Sequence, residues 1–163
     1  MTITSTVVKV GIADMKLTEA PNKLKTLGLG SCVGVVIYNN EIAGLAHVML
    51  PDSEASNRAN QNRLKYADSA LDLMIQDLLN KGAKKSSLKA KIAGGAHMFS
   101  FQTESNFLKI GERNVKAVTE RLSFHQIPLI AQDVGGNQGR TIEFNIEEGQ
   151  LEIRTVRGKT TII

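Results

Sequence analysis

The chain has 163 residues, 42% of them hydrophobic and only 4% aromatic, and its 20 Lys and Arg against 16 Asp and Glu leave a net charge of +4. That length suits one domain, here taken as residues 1–163, because surface scaling lets a chain of this size bury about 70% of its unfolded surface. So weak a basic footprint without a recognition motif argues against nucleic acid; three scattered histidines and one cysteine offer no metal-ligand spacing, and no cofactor fingerprint is present. No run approaches the roughly 20 apolar residues of a membrane span, so no membrane insertion is expected. The N-terminus lacks the basic region, apolar core and cleavage site of a signal peptide, and a lone cysteine makes no internal disulfide, which together point to the cytoplasm.

In chain order, the β-branched run at 7–12 reads as a first strand, followed by a polar loop through residue 22 and an apolar stretch, 24–29, that leads into a glycine-rich segment. Two Val- and Ile-rich runs then flank Asn39-Asn40 and read as a β-hairpin, since Asn tolerates the positive φ of a type I′ turn. With Asn39 and Asn40 as the two turn residues, Tyr38 faces Glu41 and Cys32 directly faces His47. A slip of one residue would put Cys32 and His47 on opposite faces. Apolar residues on both faces of the hairpin predict a sheet covered on both sides.

The polar run 52–61 reads as a loop beside the hairpin, a lid or a plain connection. From 64 to 81 the apolar residues recur at helical spacing, with Gly82 where a C-terminal cap belongs, and the lysines around the helix end suit its dipole and solvation. A strand over 88–93 ends in Gly94-Gly95 and is followed by His97, a second and weaker candidate base. A second helix spans 112–124 and stops before Pro128; strands follow at 129–134, 141–146 and 150–156, the last two forming a second hairpin. The loop Gly135-Gly-Asn-Gln-Gly-Arg140 reads as a sharp turn in preference to an anion cradle, because no helix follows it. The expected architecture is α/β in the α+β sense: a mixed, largely antiparallel sheet with two main helices packed on it, as a single layered domain.

Cys32 is the residue on which chemistry turns. A lone cysteine in an apolar run is ordinarily a small buried hydrophobe. Here Gly28, Gly30 and Gly34 bring the backbone close to anything docked at Cys32, and the N–H groups around Ser31 and Cys32 can face a developing oxyanion, with Gly30 and Ser31 as its backbone support. With a histidine nearby in space, the pattern is that of a thiol nucleophile and its base. A phosphate loop is disfavoured: the glycines open a strand and no Gly-Lys-Ser/Thr follows.

Five blocks, Thr26-Leu-Gly-Leu-Gly-Ser-Cys32, Ala46-His-Val-Met-Leu-Pro51, Gly94-Gly-Ala-His-Met-Phe99, Ile110-Gly-Glu-Arg-Asn114 and Asp133-Val-Gly-Gly-Asn-Gln-Gly-Arg140, together resemble the bacterial chemoreceptor glutamine deamidase family, CheD. The resemblance implies a protein-glutamine amidohydrolase of chemotaxis whose catalytic set falls on Cys32, His47 and Thr26, with methyl-accepting chemotaxis receptors as substrate and no cofactor. Thr26 would orient His47 through its hydroxyl or its backbone carbonyl. A Cys32–His47 pair predicts more thiolate near neutral pH than a free cysteine holds. The resemblance also implies binding to the CheC phosphatase, which keeps a non-catalytic adaptor as the alternative reading.

Overall fold

The computed structural model describes residues 4–53, 62–98 and 109–163. Most of the polar run expected as a loop, residues 54–61, and Phe99 of the third block lie outside the described residues. The strands are β1 (Val7–Lys9), β2 (Met15–Glu19), β3 (Lys23–Leu29), β4 (Val33–Tyr38), β5 (Ile42–Val48), β6 (Lys89–Gly94), β7 (Leu129–Val134), β8 (Arg140–Asn145), β9 (Gln150–Thr155) and β10 (Thr160–Ile162); the helices are α1 (Ala67–Asn80) and α2 (Ile110–Phe124). The α+β architecture with two main helices is as the sequence predicts, but the strands divide between two mixed, largely antiparallel sheets. One runs β2-β5-β4-β6-β7 and the other β1-β3-β8-β9-β10.

The first sheet is the central layer. Every residue of β4 and β5 is buried, because the two faces of each strand meet different partners. Val33, Val35 and Ile37 pack with Leu71, Met74 and Leu78 of α1 and with Val118 and Leu122 of α2. The alternate positions Val36 and Tyr38, with Ala43 and Leu45 of β5, face Leu24, Ile142 and Phe144 of the second sheet. A continuous Val/Ile run is what a strand covered on both faces requires, and each such side chain contributes about 1.5–3 kcal/mol on burial.

The two helices end by the same device. At α1 the amides of Gly82 and Ala83 donate to the carbonyls of Leu79 and Leu78, with Gly82 at φ +103. At α2 the amides of Gln126 and Ile127 donate to Ser123 and Leu122, with Gln126 itself held at φ 60. α1 begins at Ala67 and not at 64 because Tyr66 is extended and bridges Leu50. On their outer side Asp72 of α1 accepts from Arg121 Nε of α2 at 2.7 Å and pairs with His125 Nε2 at 2.7 Å.

Two strands fall where the sequence pattern points elsewhere. Met15–Glu19, part of the expected polar loop, pairs with β5 as the edge of the central sheet, and its half-exposed polar residues are what an edge strand tolerates. Thr160–Ile162 adds an edge to β9 beyond the expected hairpin. No helix among the described residues is long and apolar enough to cross a membrane.

Candidate active site at the β4–β5 hairpin

The register of the hairpin sets the site, and it differs from the expected one. Gly34 pairs with His47 and Tyr38 with Ala43, so Cys32 and His47 are not directly opposed. The reason is the turn. Asn39 Oδ1 accepts from the amides of both Glu41 and Ile42 at 2.9 Å, and the Asn39 amide donates to Ile42 O at 3.0 Å. Asn39 is thus the last paired residue and Asn40-Glu41 the turn. Neither asparagine takes the positive φ of a type I′ turn; among described non-glycine residues only Ala13 and Gln126 do. Asparagine acts here through its side-chain carbonyl, in an Asx turn. The pairing moves by two residues, an even number, so Cys32 stays on the face that carries His47, one diagonal away.

That face points inward, between the two sheets. His47 has no exposed surface (0%). Its Nδ1 lies 2.7 Å from Oγ1 of Thr26, which reaches across from β3 in the second sheet. The Thr26 hydroxyl donates its only proton to the Val10 carbonyl at 2.8 Å, so toward His47 it can only accept. Nδ1 therefore carries the imidazole proton and Nε2 keeps its lone pair. That Nε2 is buried and has no hydrogen-bond partner among the described residues. Of the two ways Thr26 was expected to orient His47, the hydroxyl is the one that faces the ring.

The rest of His47 is equally constrained. Its amide donates to Asp14 O and its carbonyl accepts from the Ala13 amide, both at 3.0 Å, with Ala13 bent to φ 57 to do so. Opposite, Gly34 has no side chain because a Cβ would lie 2.6 Å from Ile142 Cδ1 and 3.1 Å from Leu29 Cδ1. Burial pushes the His47 ring down to about 4, well below the ordinary 6.5.

Cys32 sits half-buried in the bend before β4, against the inter-sheet core. Desolvation raises its thiol pKa, an effect partly opposed by its own backbone amide. Burial thus pushes the thiol up and the imidazole down, both toward the neutral forms and against the extra thiolate that a Cys32–His47 ion pair would hold. The loop around Cys32 is fixed through its carbonyls. Ala96 N donates to Gly30 O at 2.8 Å and Gly95 N to Cys32 O at 2.8 Å. Gly94 allows this approach, since a Cβ there would fall 2.3 Å from Cys32 O. The Gly30 amide is spent on Gly28 O at 3.1 Å, at the bulge that interrupts β3, so Gly30 shapes the loop and does not donate to an oxyanion. The amides of Ser31 and Cys32 have no backbone partner among the described residues.

Asn114 carries no role in the sequence reading beyond its place in the fourth block. It is fully buried, and Nδ2 donates to Ser31 O at 3.0 Å and to Met49 O at 2.9 Å. The signal for it is periodicity: Gly111, Asn114, Val118 and Leu122 form the buried stripe of α2, and a polar residue on such a stripe calls for partners. His97, the alternative base, is exposed, its amide held by Gly136 O at 2.8 Å. The loop 135–139 is a sharp turn, with Gly135 and Gly136 at positive φ and Arg140 Nη2 bound to Asp133 at 3.1 Å and to Gly135 O at 2.8 Å. Among the described residues no group of three His, Cys, Asp or Glu side chains is placed to hold a metal ion.

Residues 49–155 match the family model described as CheD chemotactic sensory transduction. The chain is 55% identical over 152 residues to the chemoreceptor glutamine deamidase CheD of Halalkalibacterium halodurans, covering 92% of this chain and 94% of that protein. To the protein of the same name from Bacillus velezensis it is 54% identical over 159 residues, covering 96% of each. To that of Bacillus subtilis it is 51% identical over 164 residues, covering 99% of each. With the model spanning more than half of the chain and the relatives nearly all of it, the chain belongs to the CheD family.

Proposed function

We propose that this protein is a protein-glutamine deamidase that converts glutamine side chains of chemotaxis receptors to glutamate, with Cys32 as nucleophile, His47 as base and Thr26 as the group that orients the base. The relatives' names supply the substrate class. One observation carries the chemistry: a histidine whose proton is committed to Nδ1 by Thr26, with a buried Nε2 that has no partner among the described residues, on the face of the hairpin that also carries the lone cysteine.

Because burial pushes both groups toward their neutral forms, proton transfer accompanies attack. His47 Nε2 takes the thiol proton as Sγ bonds to the amide carbon, and the carbonyl oxygen becomes an oxyanion held by backbone amides. The tetrahedral adduct collapses with the His47 proton passing to the leaving nitrogen, so ammonia departs and a thioester remains. Water, deprotonated by the same Nε2, opens the thioester to a carboxylic acid and restores the thiol. The receptor gains one negative charge at neutral pH. A net charge of +4 on the enzyme favours encounter with acidic receptor helices, a weak steering effect at best. The reaction belongs in the cytoplasm, where a working thiol stays reduced.

Ammonia release from a purified cytoplasmic receptor fragment is the test. The wild-type protein releases it, Cys32→Ala does not, and neither acts on free glutamine; release by Cys32→Ala at the wild-type rate contradicts the assignment of the nucleophile. The CheC phosphatase that the family resemblance implies as a partner is tested with the same variant: Cys32→Ala retains CheC binding if adaptor and enzyme are separate tasks of one protein. Binding to CheC with no ammonia from wild type would leave the adaptor reading alone.

A further inference from the structure

The chain's own geometry supplies a positioning residue that no part of the Thr26-His47-Cys32 set accounts for. Three consecutive carbonyls of the nucleophile loop each have a partner: Gly30 O the Ala96 amide, Ser31 O Asn114 Nδ2 and Cys32 O the Gly95 amide. The Ala96 and Gly95 donors are themselves backed by α2, where a Cβ on Gly111 would meet the carbonyls of Ala96 and Gly95 at 2.5 and 2.6 Å. The peptide bonds at 30–31 and 31–32 are trans, the one cis bond among the described residues being Ala20–Pro21. A planar trans peptide points its N–H opposite to its C=O. The Ser31 amide thus points opposite to the Gly30 carbonyl held by Ala96, and the Cys32 amide opposite to the Ser31 carbonyl held by Asn114; among the described residues neither amide has a backbone partner.

Of the three captures, two come from backbone and only one from a side chain. Asn114 spends both Nδ2 protons on carbonyls, Ser31 O on the nucleophile loop and Met49 O just past His47, while its Oδ1 is buried without a partner among the described residues. A buried acceptor left unpaired is a cost, and what it accompanies is a single amide that ties together the two segments carrying sulfur and base. We infer that Asn114 is a positioning residue that locks the 31–32 peptide so that the Ser31 and Cys32 amides are presented to the oxyanion. This rests on the deamidase reading for its natural substrate but not for its geometry.

Two reactions of the same sulfur separate an oxyanion role from a merely structural one. Iodoacetamide alkylates Cys32 by displacement of iodide and forms no oxyanion. p-Nitrophenyl acetate acylates it: the S–C bond forms, the C–O bond breaks, p-nitrophenolate leaves, and a tetrahedral oxyanion lies on the path. Loss of an oxyanion donor costs about 100- to 1,000-fold in related acyl transfers, so a peptide freed to rotate should cost Asn114→Ala at least about 10-fold in acylation. Alkylation by iodoacetamide should stay within about threefold of wild type, because nothing in that step uses the amides. Asn114→Asp, of nearly the same size but without the donor, should behave like Asn114→Ala. If Asn114→Ala does not fold, as judged by circular dichroism, Asn114→Ser keeps one donor and should show the same selective loss in smaller measure. An unchanged acylation-to-alkylation ratio, a parallel fall in both rates, or a wild-type protein acylated no faster than Cys32→Ala would each overturn the inference. Receptor deamidation is measured alongside: a selective acylation defect with no wild-type deamidation would sink the functional reading and leave the role of Asn114 standing.

Discussion

Burial pushes the ring of His47, the proposed base, down to about 4, and the way the ring is held favours its neutral form. Its partner is a hydroxyl, and among the described residues no carboxylate pairs with the ring, while Thr26 and the Val10 carbonyl fix the neutral tautomer. Thr26→Val, close in shape, strands both the Val10 carbonyl and Nδ1–H; it should destabilise the fold by about 1–3 kcal/mol and lower kcat, whereas Thr26→Ser should retain most of both. Denaturant titration and ammonia release read the two effects separately. Burial raises the Cys32 thiol, so alkylation of the wild-type protein should keep climbing with pH beyond the ordinary thiol pKa of about 8.5. A plateau below pH 7 would indicate a resting ion pair instead. At this scale the placement of the candidates was legible: a lone cysteine among glycines and a histidine in the facing strand fall on one face of the hairpin. The Val10 carbonyl was not, because a backbone acceptor leaves no trace in residue type, and Asn114 was visible only as a polar interruption of an apolar stripe.

The hairpin shows how an element can be read correctly and its register wrongly. Both strands are where the Val/Ile runs place them, yet Asn39-Asn40 is compatible with more than one turn, and the side-chain cap of Asn39 selects the one shifted by two. The even shift keeps Cys32 and His47 on one face, as diagonal positions and not as the directly opposed pair expected. The glycines on these strands then acquire distinct tasks. Gly34→Ala would drive a methyl against Ile142 and Leu29, where the two sheets close over His47, and should cost about 1–3 kcal/mol with a loss of activity beyond that of a remote core variant. Thermal unfolding and ammonia release on the same preparation measure both. If Gly34→Ala were as stable and active as wild type, the tight closure of the sheets at His47 would be wrong. The edge strands β2 and β10 escaped the sequence pattern because short, half-exposed strands carry little apolar alternation.

Across the whole molecule, three layers place a titratable ring at the contact of two sheets, and stability inherits that ring's pH dependence. The folded His47 pKa lies below the unfolded value, so between pH 6.5 and about 4 the unfolded chain binds a proton that the folded chain does not. Stability from this group is therefore fully present above pH 6.5 and is lost as pH falls toward 4, by about 3 kcal/mol in all. Urea midpoints across that range should fall for wild type and fall less for His47→Gln. The layered α+β class followed from apolar patterning, while the partition of strands into two sheets did not, since patterning records that a face is buried and not which layer buries it. What these layers hold in place is a cysteine, a histidine and a threonine from both sheets, and the central claim is that they turn a receptor amide into an acid. Intact-mass analysis of a receptor cytoplasmic fragment, before and after incubation with the wild-type protein or Cys32→Ala, tests it most directly. The account predicts the small mass gain of an amide-to-acid exchange with wild type and none with Cys32→Ala; an unchanged mass with wild type bound to the fragment, or an equal gain with the variant, would contradict it.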